Sequence, residues 1–337
     1  MTHRNHRRNS PSRGGADGRV MRATRRSFLL GASAFGIARA ARAETTLRVG
    51  DQRGNMRAVL EAADALRGVP YQITWTEFPA AAPLIEAMNA EAIELGVVGD
   101  APFTFGFAAG VPMRVIATRR STQEGLAIVV PGTSPAYKIA DLRGKRIATG
   151  RGSVGHYLVL AALRQANIPV DAVKLTFLLP ADAKAALTSG AVDAWSTWEP
   201  YTSQVEVLEG GRQIVNGVGI VPGQGFQIAS LAAIAAKHDQ LSDFLTRLTI
   251  ARRWANAHVD QYAEIWAKLM NFPVSVPRHW FARTSEELAL IDERAIRDEQ
   301  SVIDLYADAD LLRTKFAAAS AFDASFNAAI RRGQTES

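Results

Sequence analysis

The segment Arg151-Gly152-Ser153-Val154-Gly155-His156 places two glycines, a hydroxyl and an imidazole where an apolar run gives way to a helical pattern. Glycine lets a backbone approach a ligand, and the free N–H groups of a helix's first turn favour an anion. Ser153 adds a hydroxyl donor or simply caps the helix. An ordinary capped helix explains the same residues, so this motif alone leaves both readings open. It is no nucleotide loop, because the GKS/T ending and the G-x-G-x-x-G spacing are both missing.

A second constellation, Asp193-Ala194-Trp195-Ser196-Thr197-Trp198-Glu199-Pro200-Tyr201, sets two indoles and a carboxylate at a strand-to-helix junction. An aromatic wall with a polar handle suits a small ligand with an apolar stem. One Trp is expected in the core, and Trp195, at the strand end, is expected to face the ligand. Asp100 and Glu199 read as cation acceptors or as groups bridging a hinge. Ser153 and His156, three apart on one helix, lack the geometry of a nucleophile–base pair, and no G-x-S-x-G elbow accompanies them. Outside the Arg-rich leader, the other histidines, His238, His258 and His279, have no metal-ligand spacing. Neither a metal nor a cofactor is expected.

The elements that must position these residues alternate. Strands are expected at residues 47–50, 72–76, 93–98, 114–117 and 127–130, then at 146–148, 173–178, 192–196 and 226–232. Helices are expected at 56–66, 83–89, 154–166, 181–189, onward from 199, and at 241–257 and 286–306. Repeated β-α-β order argues for parallel sheets covered by helices. Pro131-Gly132-Thr133-Ser134-Pro135 and the stretch from Gly217 to Gly225 read as two linkers. Two α/β lobes joined by two crossings describe a hinged clamshell: lobe I from 44–131 plus 224–337, lobe II from 132–223. Ligands of open α/β sheets lie beyond the carboxyl ends of strands, where these polar turns fall.

The 337 residues contain no cysteine, which removes disulfides, thiolate metal sites and cysteine nucleophiles. The net charge of +6 is unevenly spread. Residues 1–43 hold ten Arg, no Lys and one acidic residue, or +9; the remainder carries 29 basic and 32 acidic groups, or −3. A nucleic-acid role therefore has no charged surface to rest on. The basic segment reads as an export signal: Arg25-Arg26 in a twin-arginine pattern, a short apolar run from Phe28, and a cleavage site at Ala41-Arg42-Ala43. No later stretch is long and apolar enough to span a bilayer. The expected setting is the periplasm.

Taken in order, several motifs resemble one family. They are Gly99-Asp100-Ala101-Pro102, the run from Ala140 to Ala148, Gly152-Ser153-x-x-His156-Tyr157-Leu158, the run from Pro180 to Ala186, and the run from Gly190 to Tyr201. Together they resemble the aliphatic-sulfonate-binding proteins of ABC importers, within the nitrate, sulfonate and taurine group. The resemblance implies a type II periplasmic binding fold, capture of a sulfonate-like anion between the lobes, and delivery to a membrane permease by a monomer with no chemistry of its own. It places Gln52, Gly54 and Asn55 in the cleft, with Gly99 and Asp100, the helix start at Ser153, Gly155 and His156, then Trp195 and Glu199, and Gln224 before the return strand. Glu199 stands where aspartate is usual. Nitrate, taurine or a pyrimidine precursor are the near alternatives as ligand, and a cysteine-independent lyase or hydrolase on the same fold is the distant one.

Overall fold

Leu47 and Val49 are buried while Arg48 between them is exposed, the period-two signature of a strand with one face in a core. The computed structural model describes residues 45–312 and 314–336, and the expected leader lies outside them. The chain opens with β1 (Thr46–Gln52), α1 (Arg57–Ala62), β2 (Gln72–Phe78), α2 (Ala81–Asn89), β3 (Leu95–Gly99), α3 (Asp100–Ala108) and β4 (Met113–Ser121). Next come β5 (Ala127–Val130), β6 (Arg146–Thr149), α4 (Val154–Gln165), β7 (Lys174–Phe177), α5 (Pro180–Thr188), β8 (Ala194–Thr197), α6 (Tyr201–Glu209) and β9 (Arg212–Asn216). The chain then forms β10 (Gln224–Ser230), α7 (Leu231–Ala236), α8 (His238–Ala257), α9 (Val259–Met270) and α10 (Ser275–Arg283). It closes with β11 (Glu286–Ala289), α11 (Glu293–Asp308) and α12 (Asn327–Thr335).

Two mixed sheets result, ordered β11-β4-β10-β3-β1-β2 and β7-β6-β8-β5-β9. In the first, β2, β1 and β3 run parallel and β10 returns antiparallel between β3 and β4. In the second, β7, β6 and β8 are parallel while β5 runs against both β8 and β9. The chain passes from one sheet to the other after Ser121 and comes back after Asn216.

Leu47, Val49, Leu95 and Val97 pack against α1, α8 and α9 on one face of the first sheet. Val98, Val115 and Phe226 pack against α2 and α3 on the other. The second sheet lays Ile128 and Ile147 under α4, and Val129, Ala148 and Trp195 under α5 and α6. Each fully buried Leu, Ile, Val or Phe among these contributes about 1.5–3 kcal/mol.

Three expectations are corrected. β5, expected in the first lobe, pairs with β8 and β9 of the second sheet, so the first crossing precedes it. The Pro131–Pro135 stretch is a loop within the second lobe: proline and glycine mark a turn, not which turn changes sheets. The helix expected over 286–306 divides. Glu286–Ala289 adds to the edge of β4, and Asp292 starts α11 by accepting a hydrogen bond from Ala295 N at 2.7 Å.

Candidate functional site: the interlobe cleft

Five helices begin where parallel strands or their loops end, and all five beginnings border one cavity of about 390 Å³. Ala80–Ala82 open α2, Gly99–Asp100 open α3, Ser153–Val154 open α4, Leu179–Pro180 open α5, and Glu199–Pro200 precede α6. Each N-terminus carries about half a positive charge, so the cleft has a positive character before any side chain is counted. At α6 the first-turn N–H groups are already taken by Trp198 O, Pro200 O and Glu199 Oε2. Ser153 caps α4, its Oγ accepting from His156 N at 3.2 Å. Gly152, with φ of 68°, makes the left-handed turn between the end of β6 and the start of α4.

Side chains add charge. The Arg151 guanidinium lies 3.9 Å over the Phe177 ring and has no carboxylate partner among the described residues. Arg53 likewise has none; its Nε donates to Tyr201 Oη at 3.1 Å. Arg119 is ion-paired with Glu286, which also holds Arg252 at 2.8 Å, and the buried Nε of Arg119 has no partner. Asp100 is the contrary charge. Burial pushes its carboxyl up to about 6, against the pull of hydrogen bonds from Ala101 N and Gln224 N and of the Arg119 charge.

The walls are largely apolar. Tyr157, Phe177 and Trp198 come from the second lobe, and Trp280 comes from α10 of the first. Gln52, Asn55 and Gln123 add amides, with Gln52 Nε2 held by Val97 O at 2.5 Å and Asn55 Oδ1 accepting from Arg252 Nη2 at 2.6 Å.

The lobes also touch across the cleft. Arg283 of α10 binds Glu199, lies 2.6 Å from Glu206 Oε2, and donates to Ser203 Oγ at 3.0 Å. His279 Nε2 is 3.2 Å from the same Glu206 oxygen. On the opposite rim Tyr201 Oη donates to Pro79 O at 3.0 Å while accepting from Arg53. Such contacts describe a closed clamshell.

Of the residues singled out in the sequence, Gln52, Asn55, Gly99, Asp100, Ser153, Glu199 and Gln224 border the cavity. Gly54, Gly155, His156 and Trp195 do not. Gly54 adopts φ of 67° with Met270 packed against it, and a Cβ at Gly155 would lie 2.5 Å from Ser196 O, so both glycines serve close approach within a lobe. His156 is 2% exposed, accepts from Gly152 N at 3.2 Å through Nδ1, and is pushed down to about 4 by burial and the Arg151 charge. It is a neutral packing group. Trp195 is 1% exposed beneath α5 and α6; strand alternation turns it into the core, and Trp198, just past the strand end, takes the cleft position. Glu199 is occupied by Arg283, so it bridges lobes.

Arg53, Arg119 and Trp280 also border the cavity and are absent from those residues, while Arg151 and Trp198 belong to the two motifs without being assigned to the ligand. Arg151 sits directly before Gly152-Ser153, which is a readable signal. Trp280 and Arg119 reach the cleft only through folding.

Comparison with known proteins fits this geometry. The NMT1-like family matches residues 58–271. The chain belongs to the NMT1-like family. It is 33% identical over 251 residues to an aliphatic sulfonates-binding protein of Escherichia coli (strain K12), covering 74% of this chain and 78% of that one. The alkanesulfonate-binding protein SsuA from Xanthomonas axonopodis pv. citri, solved bound to MOPS, superposes with a TM-score of 0.78 at 30% identity over 83% of this chain and 99% of its own. The desulfurization enzyme DSZB superposes at 0.63 with 17% identity over 86% and 99%, a likeness of fold alone. The NMT1-like match runs from α1 to the end of α9. Trp280, Arg283 and Glu286 therefore lie in the part of the cleft beyond it.

Proposed function

We propose that this protein is an exported substrate-binding component of an ABC importer and that it captures an organosulfonate. One observation carries the reading: five helix N-termini and two arginines without carboxylate partners among the described residues converge on a cavity that both lobes close. The sulfonate head is assigned to the Ser153 end, where backbone N–H groups, the Ser153 hydroxyl and Arg151 supply donors. The organic tail lies along the apolar walls. Because residues of both lobes contact the ligand, binding favours the closed state, which the permease reads. The relatives named above support an alkanesulfonate-like anion over nitrate or a pyrimidine precursor, and over taurine, whose sulfonate carries an ammonium group on the tail. Export by the twin-arginine route, cleavage after Ala43 and action as a periplasmic monomer complete the reading.

No chemistry is assigned to the protein itself. Ser153 Oγ accepts from His156 N and faces no imidazole nitrogen among the described residues that could take its proton, His156 Nδ1 accepts from Gly152 N, and the chain has no cysteine to act as nucleophile. The test is the melting temperature of the purified protein with alkanesulfonates, taurine, sulfate, nitrate and thiamin-type pyrimidines. A ligand at about a hundredfold excess over its Kd adds about 2.7 kcal/mol, a rise of roughly 5 °C. A rise confined to sulfonates supports the reading. Nitrate or a pyrimidine acting alone replaces the ligand, and release of product from any sulfonate replaces the carrier with an enzyme.

A further inference from the structure

Resting on the anion reading above, we propose that the tail of the ligand is a flat ring system, making the substrate an arylsulfonate and not a short alkanesulfonate. The first observation is size. A cavity of about 390 Å³ remains inside a clamshell already closed by Arg283–Glu199 and Tyr201–Pro79, which is the scale of a drug-sized ligand, well beyond a head group with a two-carbon stem. The second is the lining. Phe177 and Trp198 from the second lobe and Trp280 from the first border the same space, so aromatic side chains line it from both sides of the hinge. The third is Arg151. Its planar cation rests on Phe177 at 3.9 Å without a carboxylate partner among the described residues, in position to attract the sulfonate and to extend a stacking surface for a ring.

Rigid aromatic walls favour a rigid ring over a flexible chain. An alkyl tail of similar volume loses rotamer freedom when the lobes close, while a ring has none to lose and gains offset or edge contacts with the indoles. Trp198 is the natural reporter. It is partly exposed and lies past the end of β8, whereas Trp280 is packed against Trp266 and Phe281.

The experiment is calorimetric titration of the purified protein with ethanesulfonate, hexanesulfonate, benzenesulfonate and naphthalenesulfonate. The expected result is that both arylsulfonates bind about tenfold more tightly than either alkanesulfonate, as one ring–ring contact of ordinary strength would give. In Trp198→Leu, with folding checked by its thermal transition, naphthalenesulfonate should lose several-fold more affinity than ethanesulfonate. Tighter binding of hexanesulfonate or ethanesulfonate overturns the aryl tail and leaves the sulfonate reading intact. Equal losses for both ligands in Trp198→Leu also overturn it. Failure of all four to bind overturns both.

Discussion

Arg283 on α10 and Glu199 before α6 form an ion pair across the cleft, with Arg283 Nε 2.9 Å from Glu199 Oε1 and both side chains mostly buried, at 14% and 7% exposure. Glu199, Ser203 and Glu206 recur at helical spacing, so α6 presents one polar stripe to α10. Burial pushes the Glu199 carboxyl up, and Arg283 and Ser203 only partly offset it. The pair depends on the lobes being closed.

Arg283→Gln should therefore weaken ligand binding through faster release. Breaking a buried pair costs about 3–5 kcal/mol, but opening the cleft rehydrates Glu199, so the affinity loss is expected to be about tenfold. Stopped-flow dissociation rates are the measurement. An unchanged rate with a lowered melting temperature would make Arg283 a support within its own lobe.

Asp100 predicts a pH dependence. Its folded pKa of about 6 lies above the unfolded value, so the stability it contributes is present at low pH and is lost as pH rises through about 6. The charge that appears also opposes an anion in the same cavity. Sulfonate affinity should fall by roughly fivefold between about pH 5 and pH 7, or about 1 kcal/mol. His156, held down to about 4, stays neutral across that window. Titrations of wild type and Asp100→Asn at several pH values check this, the variant giving a flat profile.

At the helix start, Arg151→Gln should lower sulfonate affinity by about tenfold and reduce its salt dependence, since an exposed cation is lost. Ser153→Ala removes both the cap of α4 and a donor. About 1 kcal/mol of stability goes with the cap. Calorimetry and thermal melts on the two variants separate the effects: Arg151→Gln should leave the melting temperature of the free protein nearly unchanged.

Two residues that read as ligand contacts are expected to act on stability instead. Gly155→Ala drives a Cβ against Ser196 O and Thr149 Oγ1, and should cost about 1–3 kcal/mol in denaturant unfolding. Trp195→Ala should cost about 3–5 kcal/mol by opening a cavity under α5 and α6. A Trp195 variant of native stability would refute its place in the core.

Much of this protein follows from local sequence. Strand and helix order, the glycine turn at Gly152, the cap at Ser153 and the strand-end loops at Gln52 and Gly99 depend on neighbours in the chain, and short-range sterics and hydrogen bonding suffice to fix them. The fold class followed from the same alternation. What needed tertiary structure was pairing across long separations. Only packing tells Trp195 from Trp198, because one residue of register sends an indole into the core or into the cleft. Only strand pairing moves β5 into the second sheet and converts Glu286–Ala289 from an expected helix into an edge strand. The contacts of Arg283 with Glu199 and Glu206, and the arrival of Trp280 in the cleft, join segments about eighty residues apart. No local propensity encodes such meetings, since they exist only when the two lobes close.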